Sequence, residues 1–347
     1  MAVIETLKTG GLILAVAAGL ALPISSGVAQ DSEQAFFAGK TVRFVVGFGA
    51  GGGYDAYARM LAPYLSKTLG ATVIVENRPG AGGLLALNGV YIAPPDGLTM
   101  MIVNGTAAVY SQLTDLQGAR YDLGKIGYLA TLSAPPSLWT VSPHDKTKTI
   151  AQALTATRKW RWAASGPVDS LSDGAAFTCA GLKLDCQIVL GYKGSNDAAL
   201  AVARGEMDAL YVTDTSANTY VQSNGLVPLA TVGQKRSRFF PGLPTIFEAA
   251  KLNAEQEWIF NFRHLAQSLG RILVTPPGMS DSRLAFLEAA VKKAVSDPSF
   301  LAEGDKRQLY TDYVDAAGTR KNATSIVTTV TPEQRKLVQD ILARASK

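Results

Sequence analysis

Two cysteines and two histidines among 347 residues leave little material for metal chemistry. Cys179 and Cys186 have six residues between them, and His144 and His264 stand far off, so the four make a poor zinc site. The cysteines fit an oxidising compartment, and their spacing leaves two states open: a short disulfide loop worth about 2–3 kcal/mol, or two buried thiols. Basic runs and RNA-binding aromatic motifs are also missing. With 33 lysines and arginines scattered against 28 acids, the charge of +5 reads as a solvated surface with a mild pull on small anions and no nucleic-acid partner. Neither histidine adjoins a Gly-x-Ser-x-Gly elbow, and no Gly-Lys-Ser/Thr follows any glycine loop, which argues against triad and P-loop enzymes. Beyond Leu22 no apolar run reaches the roughly 20 residues of a spanning helix.

What is present begins with an address. Lys8, the apolar segment Gly11 to Leu22, Pro23 and the small residues up to Ala29 read as a secretory signal, residues 1–29, cleaved after Ala29. At 47% hydrophobic and 18% charged, the remainder has the composition of a globular protein large enough for two cores.

The chain is organised around Thr41 to Asp55. A β-branched and aromatic run, Thr41 to Val46, passes into a loop with four glycines and then a helix from Ala56. Bare backbone N–H groups and a helix N-terminus favour a negatively charged ligand there. The loop has two possible owners. Gly47-x-Gly49-x-x-Gly52, with Glu76 ending a second strand, satisfies the dinucleotide fingerprint of a nucleotide-dependent, Rossmann-type enzyme. The other owner is a receptor that holds a carboxylate and needs no cofactor.

Context separates them. Strand Thr72 to Glu76 is followed by a second glycine turn, Asn77 to Gly83, and strand Leu98 to Val103 by Asn104-Gly105-Thr106. Strands alternating with helices at this spacing form a mainly parallel sheet with all three loops on one edge, where ligands of open α/β sheets bind. From Trp160 to Val232 a second parallel sheet is expected, with the loops Ser165 to Ser172 and Asp214 to Asn218 at its strand ends. Trp258 to His264 reads as extended, no strand is expected after Thr275, and the last helices pack back on the first lobe. The expectation is an α/β protein of two lobes joined by two crossover strands: residues 30–135 plus 266–347, and residues 136–265.

With these residues laid out, the chain resembles the periplasmic solute receptors of the tripartite tricarboxylate transporter family, the Bug receptors. Val73 to Gly83, reading Val-Ile-Val-Glu-Asn-Arg-Pro-Gly-Ala-Gly-Gly, carries the resemblance. Ala93 to Gly97, Gly191 to Ser195 and Phe240 to Glu248 add to it in the right order. The resemblance implies a type II periplasmic binding-protein fold that closes like a flytrap. It also implies a monomer in the periplasm, free of chemistry, that delivers a small organic carboxylate to membrane permease subunits or reports it to a signalling partner. By position, Phe48, Ala50, Gly51, Gly52, Gly53 and Asp55 and the third loop, Asn104, Gly105 and Thr106, would contact the solute from lobe one. Ser165, Gly166, Ser170, Asp214, Thr215 and Ser216 would do so from lobe two, with Tyr54 and Tyr192 as candidate cleft-lining rings. Such receptors hold a carboxylate with backbone N–H groups, hydroxyls and waters rather than an arginine. The chain departs from the family by lacking turn prolines in the first loop, by carrying Tyr54 in place of a small residue, and by lacking a histidine in the Asp169 to Asp173 segment.

Overall fold

The computed structural model describes residues 26–167 and 169–346. The apolar segment read as an export signal lies outside them, and among the described residues no helix is long and apolar enough to cross a membrane. After α1 (Ser26–Phe37), strand–loop–helix repeats three times: β1 (Thr41–Val46) into α2 (Gly53–Leu69), β2 (Thr72–Asn77) into α3 (Leu84–Tyr91), and β3 (Thr99–Asn104) into α4 (Gly105–Leu113). Every residue of β3 is buried, as expected for a central strand covered on both faces. Helix α2 stops where Gly70 takes the left-handed conformation, φ 66°.

β4 (Gly127–Ser133) completes the approach to the second lobe, and the chain crosses at Ala134–Pro136 into β5 (Ser137–Val141). There follow α5 (Ile150–Thr155), β6 (Trp160–Ala163), α6 (Ser170–Leu182), β7 (Cys186–Val189), α7 (Ser195–Ala203), β8 (Ala209–Thr213), α8 (Asp214–Asn224), β9 (Val227–Thr231) and α9 (Ile246–Ala249). The chain returns through α10 (Ala254–Gln267) to β10 (Arg271–Thr275) and closes with α11 (Asp281–Val295), α12 (Pro298–Arg307), β11 (Val314–Asp315), α13 (Ala316–Thr329) and α14 (Pro332–Leu342).

The two sheets run β11-β4-β10-β3-β1-β2 and β7-β6-β8-β5-β9. β1 pairs parallel with β2 and β3, and β6 parallel with β7 and β8, which puts the loops after β1 and β3, and those after β6 and β8, on the expected edges. The sheets are mixed, however, not mainly parallel: β10 runs antiparallel to β3 and β4, and β5 antiparallel to β8 and β9. The crossing segments cause this, since each must enter its new sheet from the cleft side.

Other expectations are corrected. Trp258 to His264 is helix, because Asn253 and Gln256 form a reciprocal capping box and Ile259, Phe260, Phe262, Arg263 and Ala266 make one buried face. A short strand, β11, does form after Thr275, on the edge of β4. The last helix leaves lobe one: α14 and the 3-10 turn Ala343–Ser346 pack against α6 and β7 of the second lobe. Cys179 and Cys186 are joined as a disulfide between α6 and β7.

Candidate functional site

The loops at the strand ends of the two lobes meet face to face. Gly49 donates its backbone N–H to the Lys193 carbonyl across the gap, 3.0 Å. Gly166 lies so close to the second glycine turn that a Cβ on it would stand 2.4 Å from the Gly82 nitrogen. The lobes are therefore closed on each other.

Between them lies a cavity of about 30 Å³ lined by Phe48, Gly52, Gly53, Tyr54, Ser170, Ser216 and Arg271, with Leu171, Ser195, Val212 and Thr213 completing the wall. That is room for about a water molecule. Phe48 is stacked on Tyr54, centroids 4.6 Å apart, and also walls a cavity of about 20 Å³ beneath α4 and an open one of about 340 Å³ at the mouth. Tyr192 and Lys193 line the mouth.

Helices converge here. α2, α7 and α8 each begin at this cavity without a side-chain cap, at Gly52, Gly194 and Thr213. The three dipole ends supply partial positive charge, offset by an aspartate in each first turn, Asp55, Asp197 and Asp214, and the Asp214 N–H is already bonded to the Pro136 carbonyl, 2.8 Å. α6 is different, since Asp169 accepts from the N–H groups of Leu171 and Ser172 and from those of Ser165 and Gly166, and its carboxylate also takes the Ser165 hydroxyl.

Several expected contacts are engaged elsewhere. The Asp55 carboxylate accepts from the Gly51 N–H, Arg59 and Asn77, each at 2.9 Å, and so ties the first loop to the second. Burial acts to raise its pKa, but these bonds outweigh it and hold the carboxyl below its usual range. Ala50 and Gly51 sit on the exposed outer side of the loop. Thr106, expected to offer its hydroxyl to an anion, is buried and donates instead to the Ala266 carbonyl, 3.0 Å, while Gly105 packs on Leu269 and donates its N–H to Gly270. The cause is α10, which lies over the third loop where an extended segment was expected. Asn104 caps α4 with its oxygen and leaves its buried Nδ2 without a partner beside the small cavity. Asp214 accepts from Ser237, 3.1 Å, and Thr215 pairs with Thr213 rather than lining the cavity. Burial raises the Asp214 carboxyl to about 6.

One lining residue carried no motif. Arg271, at the start of β10, is 2% exposed and lines this cavity, its guanidinium lying over the Tyr54 and Tyr57 rings, 5.1 and 4.5 Å from their centroids. Burial drives the Tyr54 hydroxyl far above its usual pKa, against the pull of Arg271. A deeper ion pair, Arg263 with Asp173 at 2.8 Å, is fully buried behind the site, and burial raises that carboxyl against the pull of Arg263.

The dinucleotide arrangement is not formed. Glu76 pairs with its neighbour Arg78 at 2.5 Å, and the Gly49 N–H that a pyrophosphate would need is bonded to Lys193. Among the described residues no cluster of His, Cys, Asp and Glu is arranged to hold a metal ion.

A family model described as "Tripartite tricarboxylate transporter family receptor" matches residues 57–329. A protein of Cupriavidus necator, described as "UPF0065 protein in gbd 5'region", is 32% identical over 310 residues, 86% of this chain and 88% of its own length. Among solved structures, the periplasmic binding protein BugD superposes with a TM-score of 0.71 at 20% identity, covering 87% of this chain and 97% of its own. Rpa4515 of R. palustris, solved with adipate, gives 0.72 at 18% identity, covering 88% and 97%.

Proposed function

The chain belongs to the tripartite tricarboxylate transporter receptor family, and from that premise we propose that it captures a small organic carboxylate between its lobes and hands it to the family's membrane permease. Its two-lobed α/β fold is that of the type II periplasmic binding proteins it resembles. The observation that carries the reading is the convergence of three uncapped helix starts and a buried arginine on one closed interlobe cavity. Such a place stabilises a negative charge far better than a neutral solute. Adipate in a structural relative supports a carboxylate as the solute. The protein acts as an exported monomer, freed after Ala29, and performs no chemistry on what it binds.

A thermal-shift screen of the chain from Gln30 onward against a library of carboxylic acids, with NAD and NADP included, tests this. An acid present at a hundredfold excess over its dissociation constant stabilises the protein by about 2.7 kcal/mol. Stabilisation by a nicotinamide cofactor and by no acid would sink the receptor reading.

A further inference from the structure

We infer that Arg271 is the anchor that takes the solute's carboxylate, an assignment that rests on the receptor reading above and departs from the arginine-free mode its sequence relatives suggest. The side chain is 2% exposed, yet among the described residues no carboxylate oxygen lies within 4.0 Å of its guanidinium. The other deeply buried arginine, Arg263, has Asp173 at 2.8 Å. Asp214, the nearby acid that feels the Arg271 charge, is turned to Ser237. A buried guanidinium without a counter-charge is costly, so its persistence beside a cavity points to a counter-charge that arrives from outside.

The geometry says which edge is offered. Nη1 donates to the Ser133 hydroxyl at 3.1 Å, whereas Nε has no partner and Nη2 makes only a long bond, 3.4 Å, to Thr213. Nε and Nη2 form the side-on fork that grips both oxygens of a carboxylate. Nη2 reaches the first glycine loop, 2.8 Å from where a Cβ on Gly53 would stand, beside the start of α2. The guanidinium carbon also lies over the faces of the Tyr54 and Tyr57 rings. Arg271 thus meets the requirement of a preformed anion clamp, with Ser133 fixing its far side. Tyr54, the residue by which the first loop departs from its relatives, then has a purpose: it positions the arginine.

Isothermal titration of the intact mature protein with adipate and with benzoate tests the assignment. Arg271→Gln is expected to weaken the acid that binds at least 100-fold while leaving the unfolding midpoint of the free protein unchanged or raised, and Arg271→Lys to fall between. Should Arg271→Gln not fold, the unmodified protein is titrated with adipamide and benzamide, and the acid is expected to exceed its amide at least 100-fold. Equal binding of an acid by wild type and Arg271→Gln, or equal binding of acid and amide, overturns the Arg271 assignment alone. A wild-type protein that binds no acid in the titrations or the wider screen overturns the receptor reading and this assignment together.

Discussion

Single residues divide here into those that face the cavity and those that hold the loops around it, and the division follows from where each polar atom finds its partner. Thr106 belongs to the second group. Thr106→Val removes its bond to the Ala266 carbonyl and is expected to cost about 1–2 kcal/mol in urea unfolding, with affinity for an identified acid unchanged. Asp55→Ala frees the Gly51 N–H and the Asn77 amide together, so a loss of about 2–3 kcal/mol is expected, accompanied by weaker binding because the first loop is no longer tied down. Asp214 predicts a pH effect. Its folded pKa, about 6, lies above the unfolded 3.8, so the folded state holds the proton more tightly. Stability then falls as pH rises from about 4 to about 6, by on the order of 2–3 kcal/mol for this group alone, and is level above that. Urea unfolding from pH 4 to 7 should show this decline in the wild type and a flatter profile in Asp214→Asn.

At the scale of elements, legibility depended on whether a segment's pattern is set by its own neighbours. β1, β2, β3 and the glycine turns after them are local events of β-branched runs and backbone-permissive residues, and they stand where the sequence places them. Helix α10 is where local propensity misleads: its aromatic residues, Trp258, Phe260 and Phe262, favour strands intrinsically, and a face buried against α6 and α4, with the Asn253 and Gln256 capping box, makes them helical. α14 packs on the second lobe rather than the expected first for a related reason. Its amphipathic stripe, with Val338, Ile341 and Leu342 buried, says that it packs but not against what. The disulfide joins α6 to β7 beneath that helix. Cys179→Ser with Cys186→Ser is expected to lower stability by about 2–3 kcal/mol, the chain-entropy value for so short a loop, measured by denaturant midpoint.

For the whole molecule, the proposed receptor function turns on closure of the lobes. The stack of Tyr110 on α4, Phe177 on α6 and Phe262 on α10, with centroids 5.4 to 6.2 Å apart, joins the two lobes, while the glycine loops meet across the gap. Gly166→Ala puts a methyl into the backbone of Ala81 and Gly82 and should leave both lobes folded while obstructing closure. Affinity for the acid is expected to fall at least tenfold, and small-angle scattering should show a smaller ligand-induced contraction than in the wild type. The amino-acid sequence by itself determined the two-lobed α/β plan and the placing of the glycine loops at strand ends, because these follow from local periodicity, glycine placement and helix starts. Only the tertiary structure decided what faces the cavity. Arg271 opens an ordinary buried strand and carries no motif, and it lines the interlobe cavity because β10 enters the first sheet antiparallel, against β3, and so delivers its first residue to the cleft.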